Sequence, residues 1–163
     1  MARAGTTVLF DAVAAVGADT PRAGFAGPLL AGWWLRRRLY ETVVHHADAA
    51  IALGAPYALD PEVAADGISE WLSLGVALPL GESPLAGDDT LHLHVTEDLG
   101  DRGEWIVRPG VEWAHGHAKA TTAVVGTAVD LFLVLMRRLA PDGHVEVFGD
   151  RAVLDTWLSR TSV

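Results

Sequence analysis

Hydrophobic positions follow two periods along the chain, and the change from one to the other falls near the middle. In the N-terminal half, Val8, Leu9, Ala12, Val13 and Val16 recur at helical spacing and Gly17 ends the run, which predicts a short helix over residues 5–17. After the loop "RAGFAG", Pro28 suits the first turn of a long helix expected to run to Leu53 before Gly54. Asp60-Pro61-Glu62 combines a side-chain cap, a fixed φ and an early acid, and so predicts a third helix carrying Ile68, Trp71 and Leu72. Residues 78–88 are rich in Pro, Gly and acids and read as a linker.

Beyond the linker the period drops to two. "TLHLHVTED" alternates strictly, "EWIVRP" and "VEWAHG" flank a Pro109-Gly110 turn, and "AKATTAVVG" follows, which together predict a meander of strands. "TAVDLFLVLMRRLA" returns to helical spacing, "HVEVFG" is a last strand and "DRAVLDTWLSR" a closing amphipathic helix. The expected class is α+β, with residues 1–77 helical and residues 89–163 an antiparallel sheet covered by helices.

Composition narrows the functional classes. The chain has 163 residues, enough for one substantial core but not for two full-sized domains. Its net charge of −9, from 21 acidic and 12 basic residues, disfavours nucleic acid and anionic membrane surfaces as partners. With no cysteine there are no disulfides, no thiolate ligands and no cysteine nucleophile, so any thiol chemistry must use a borrowed thiol. The N-terminal run loosely imitates a signal peptide, but Asp11 interrupts its apolar stretch, and Arg36 to Arg38 interrupt the longest candidate for a membrane span; a cytoplasmic protein is expected.

Candidate chemistry gathers on the second helix. At about 100° per residue, His45 and Asp48 fall within roughly 40° of Glu41, with Trp34, Arg37 and Arg38 bordering the same stripe. A carboxylate and an imidazole four apart can ligate one ion, and helical bundles complete such sites from facing helices. The same spacing also describes an ordinary polar pair on a solvated face. His92 and His94 share one side of their strand, and His115 and His117 repeat the arrangement; each pair suits either a ligand site or the polar rim of a half-open sheet. Trp33 and Trp34 suit a core or a pocket wall. There is no phosphate-binding glycine loop and no nucleophile elbow, and Ser69, Ser73 and Ser83 have no evident base.

The ordered set "WWLRRRLYETVVHHADAAIALGAPYALDPEVAADGISEWL", "LHLHVTED", "GEWIV", "GTAVDLFLVLMRRL" and "VEVFGDRAVLDTWL" resembles the mycothiol-dependent maleylpyruvate isomerase family of actinobacteria across nearly the whole chain. The resemblance implies a partial DinB-like helical bundle followed by an α/β C-terminal domain. It implies a divalent metal, most often zinc, on Glu41 and His45, and mycothiol as the thiol. It also implies an anion-holding and catalytic role for Arg138, which follows Arg137 where the family usually has glycine. The family's third ligand, a histidine on an earlier bundle helix, has no counterpart, and the first two bundle helices are expected to be absent. A homo-oligomer or a separate chain would then complete the metal site. The function implied is metal-assisted thiol chemistry on a small molecule, either cis–trans isomerisation or thiol transfer; the alternative is a non-catalytic ligand-binding or assembly module of the same descent.

Overall fold

The computed structural model describes residues 2–24, 27–77 and 83–161; part of the expected linker, residues 78–82, lies outside them. By compactness the chain divides into two units, residues 1–49 and 50–163, with the division inside the second helix. The third helix is thereby grouped with the sheet, whereas the sequence pattern draws a boundary at residues 78–88.

The first unit opens with α1 (Ala2–Val16), whose stop is the predicted one: Gly17 takes φ +88 and its N–H reaches Val13 O at 2.9 Å. Two short strands follow, β1 (Pro21–Arg22) and β2 (Leu29–Leu30), paired antiparallel. They lead directly into α2 (Ala31–Leu53). Pro28 therefore stands before a two-residue strand and not in the first helical turn. The reason is visible in the hydrogen bonds: Ala31 N donates to Thr20 O and Gly32 N to Ala18 O, so the preceding chain satisfies amides that a helix start otherwise leaves orphaned.

In the second unit, α3 (Pro61–Ala77) begins as the Asp-Pro-Glu pattern predicts, with Glu62 N donating to Asp60 Oδ1 at 2.8 Å. The strands are β3 (Leu91–Val95), β4 (Glu104–Arg108), β5 (Glu112–His115) and β6 (Thr122–Gly126). Then come α4 (Ala128–Leu135), β7 (Val145–Gly149) and α5 (Arg151–Arg160). The sheet has the order β5-β4-β3-β6-β7. It is antiparallel except where β3 and β6 run parallel. The expected meander therefore covers β3, β4 and β5, and β6 crosses to the far side of β3. Alternation tells each strand which face to bury but not which neighbour to take.

Register sorts the side chains. Leu91, Leu93 and Val95 lie opposite Val107, Trp105, Thr122, Val124 and Gly126, forming a buried layer continuous with α3, where Trp105 Nε1 donates to Ser69 Oγ at 2.9 Å. His92 pairs with Ile106, and His94 with Glu104, so these four point to the opposite side. On α4, Thr127 caps the start by accepting from Asp130 N at 3.1 Å, and Glu97 adds a carboxylate at Ala128 N. The helix stops at Met136, earlier than the apolar run predicts. Arg137 adopts φ +61, Arg137 N donates to Val134 O and Arg138 N to Leu133 O, which is a Schellman ending with arginine in the left-handed position. Among the described residues, no helix is long and apolar enough to cross a membrane.

Candidate metal-binding sites

Two groups of potential ligands emerge, one in each unit. On α2, Glu41 and His45 stand one turn apart, with His45 Nε2 3.5 Å from Glu41 Oε2. The other ring nitrogen, Nδ1, donates to Asp48 Oδ2 at 3.0 Å. Glu41 Oε1 is paired with Arg37. The helix thus does what the 3.6-residue period requires, placing Glu41, His45 and Asp48 on one stripe, and the carboxylate of Asp48 orients the imidazole so that Nε2 faces Glu41. His45 is largely exposed, at 68 % of its side-chain surface. Trp33 and Trp34 meet edge to face at 5.0 Å near the start of the same helix, both half-buried.

Arg138 lies just past the C-terminus of α4, where its guanidinium donates to Met136 O at 2.7 Å and is partly buried. Its cation sits at the carbonyl end of the helix, where it complements the macrodipole. The guanidinium thus serves the helix end in this structure.

The sheet carries the denser group. Among the described residues, His92, His94, Glu104 and His117 form the one set of three or more histidine and carboxylate ligands whose donor atoms all lie within 4.8 Å of one another. Glu104 Oε2 is the hub: His92 Nε2 donates to it at 2.9 Å and His117 Nδ1 at 2.7 Å, and His94 Nδ1 stands 3.8 Å away. The His92 and His117 rings meet edge to face at 4.9 Å. Burial lowers the pKa of His92, against the pull of its hydrogen bond and charge contact with Glu104, and the neighbouring His117 and His94 lower it further. At Glu104, burial works to raise the pKa, but the hydrogen bonds from His117 and His92 and the charges of His94 and His117 outweigh it, and the net shift is downward. At neutral pH the group therefore offers an ionised carboxylate beside a neutral buried imidazole.

The sequence picks out His92 and His94 as a pair sharing a side, which the strand places correctly. It pairs His117 with His115, and there the structure differs. β5 ends at His115, Gly116 takes φ +131, and His117 turns back to join His92 and His94. His115 stays on the opposite face, 5.6 Å from the Trp105 ring, with Nδ1 donating to Glu104 O at 3.0 Å. Glu104 is not singled out by the sequence. The signal that could find it is hairpin register: a lone acid opening an apolar strand, placed opposite the second histidine of "LHLH".

An α+β protein with a helical N-terminal segment, a five-stranded mixed sheet and imidazole–carboxylate groups in both units is the class so defined. Residues 62–156 match the MDMPI C-terminal domain, and residues 2–50 match the mycothiol maleylpyruvate isomerase N-terminal domain. The chain belongs to the mycothiol maleylpyruvate isomerase family. Among solved structures it is similar to Sterol Carrier Protein 2 Like 2 from Aedes aegypti, with 20 % identity and a TM-score of 0.42 over 58 % of this chain and 91 % of that one. It is also similar to a conserved hypothetical protein from Thermus thermophilus, with 15 % identity and a TM-score of 0.34 over 58 % of this chain and 76 % of that one. No curated protein matches significantly.

Proposed function

We infer that the chain is a mycothiol-dependent maleylpyruvate isomerase-like protein, acting in cis–trans isomerisation or thiol transfer on a small molecule, with Glu41 and His45 as metal ligands. The observation that carries this reading is the geometry on α2. Nε2 of His45 and Oε2 of Glu41 converge at 3.5 Å, a separation that two donors to one zinc ion require, while Asp48 holds Nδ1 in the manner of a carboxylate supporting a ligand histidine. The residues fit half of a zinc site. Zinc held there would supply a Lewis acid that keeps the thiol of mycothiol as a thiolate at neutral pH.

The chain's own contributions follow from its side chains. Asp48 fixes the tautomer of His45, and Arg37 holds Oε1 of Glu41, leaving Oε2 for the ion. Arg138 would bind a carboxylate of substrate or thiol through its guanidinium, which also donates to Met136 O. Two donors do not complete a zinc site, so at least one more comes from beyond α2, and a second copy or another chain supplies it in an assembled form. Exposed Val8, Phe10, Leu39, Ile51 and Leu53 on the first two helices are consistent with such assembly.

A second reading, a non-catalytic ligand-binding or assembly module, is favoured by one observation: Arg37 and Arg138 already serve internal partners. Metal stoichiometry of the assembled protein after chelation and zinc reloading separates the two. Loss of one zinc on His45→Ala, with loss of thiol-dependent turnover, is expected from the enzyme; unchanged zinc content and ligand binding by metal-free protein would overturn it. Size-exclusion chromatography at micromolar concentration tests the assembly, and a sharp monomer peak would refute it.

A further inference from the structure

We propose that the sheet unit carries a metal site of its own, in which His92 Nε2, His94 Nδ1, Glu104 Oε2 and His117 Nδ1 bind one divalent ion of the zinc class. The site does not depend on the α2 reading, since every ligand belongs to residues 92–117 of the second unit.

Three features of the geometry support it. First, the four donors come from separate pieces of chain that the fold brings together: two from alternate positions of β3, one from the paired position at the start of β4, and one from the segment after β5. Second, the distances from Glu104 Oε2 to the three nitrogens, 2.9, 2.7 and 3.8 Å, bracket the roughly 3.3 Å edge of a tetrahedron of nitrogen and oxygen donors about 2.0–2.1 Å from a zinc ion. All four donor atoms lie within 4.8 Å of one another, and rotation of the outer side chains, His117 above all, would draw them onto one ion. Third, burial is graded: His92 is 5 % exposed, Glu104 22 %, His94 38 % and His117 73 %. The inner ligands are fixed by the sheet, and the outer one leaves a path for the ion to enter.

The donor chemistry selects the metal. Three imidazoles and one carboxylate suit zinc and its transition-metal neighbours; calcium and magnesium prefer oxygen donors throughout. Four protein ligands make a closed site, the pattern of a structural ion, and binding would pin the turn at Gly116 and His117 onto the sheet. The imidazoles bind as neutral rings: the nitrogens now donating to Glu104 give up that contact, and each ring keeps its proton on the other nitrogen.

The test uses the full chain, stripped with chelator and titrated with Zn2+ alone and with Co2+ as a spectroscopic probe. A tight first step of one ion per chain with tetrahedral cobalt absorption is expected, together with a higher melting temperature in zinc. His94→Ala, His117→Ala and Glu104→Gln should each weaken binding by about 100-fold or more, since even loss of a supporting contact costs about 10–100-fold. His45→Ala should leave this ion in place. Far-UV circular dichroism of the metal-free variants checks folding. As a measurement independent of variants, the first equivalent of zinc should shift the ring resonances of His92, His94 and His117 in the parent, and the His45→Ala protein should show the same three shifts. Equal zinc affinity in the parent, His94→Ala and His117→Ala proteins would overturn the proposal, as would loss of all zinc in His45→Ala or no zinc binding by the parent.

Discussion

Arg137 occupies a backbone position that suits glycine, and replacing it should stabilise the protein. It sits at φ +61 immediately after the C-cap of α4, where two amides close back onto Val134 O and Leu133 O. A left-handed conformation costs an L-residue about 1–2 kcal/mol, because Cβ crowds the following carbonyl. Glycine removes that cost but loses about 0.4–1 kcal/mol through the larger freedom of its unfolded chain. The side chain is exposed, so little packing is given up. Arg137→Gly should therefore gain about 0.5–1 kcal/mol, or about 1–4 °C in melting temperature. Urea and thermal unfolding of metal-free protein, read by tryptophan fluorescence, measure it; Trp71, Trp105, Trp113 and Trp157 report from the sheet unit. Arg137→Ala, which keeps the strain and removes the guanidinium, is the control and should change stability by less than about 0.5 kcal/mol. A lower midpoint for the glycine variant would refute the strain argument, and an equal fall in the alanine variant would locate the stabilisation in the arginine side chain.

The remaining predictions concern the core and the anion site. Ser69→Ala leaves the Trp105 indole N–H, fully buried, without its acceptor, and should cost about 1–3 kcal/mol in urea unfolding; a change below about 0.5 kcal/mol would indicate another acceptor. In the assembled, metal-loaded protein Arg138→Lys should cut turnover by about two to three orders of magnitude, the equivalent of a transition-state contact worth roughly 2–4 kcal/mol, with little loss of folding stability. If Arg137→Lys is the damaging change instead, the anion-holding role belongs one residue earlier; if neither matters, Arg138 serves only the helix end.

What the sequence conveyed best was local. Helix starts with an explicit cap, at Asp60 and Thr127, and strands with strict alternation, such as Leu91 to Val95, stand where periodicity places them. Such signals act within a few residues, and tertiary contacts here did not override them. What it conveyed poorly was long-range or conformational. The parallel pairing of β6 with β3 joins residues about thirty apart through register alone. The early end of α4 turns on one arginine accepting a left-handed φ within an apolar run that reads as continuous helix. His117 is the case that mattered for function: two residues from His115, it shares a face with it only if the strand continues, and Gly116 breaks the strand.

The two ligand groups differ in a way that bears on how metal content should be interpreted. On α2 the imidazole is mostly exposed, one carboxylate oxygen is taken by Arg37, and a complete site needs a donor from elsewhere. On the sheet three donors are gathered by backbone register and His117 by the turn after β5, so little further ordering is required before an ion binds. Preorganisation of that kind makes the sheet group the first to fill as zinc is added. Zinc found in the wild-type protein is then no sign of an active thiol site, because one ion per chain is accounted for by residues 92–117. Only the ion lost on His45→Ala bears on thiol chemistry, and only the ion lost on His94→Ala or His117→Ala bears on the sheet. A titration resolving two steps, the tighter abolished by the sheet variants and the weaker by His45→Ala, is the expected outcome, and the reverse order would mean that assembly, by completing the α2 site, outweighs the preorganisation of the strands.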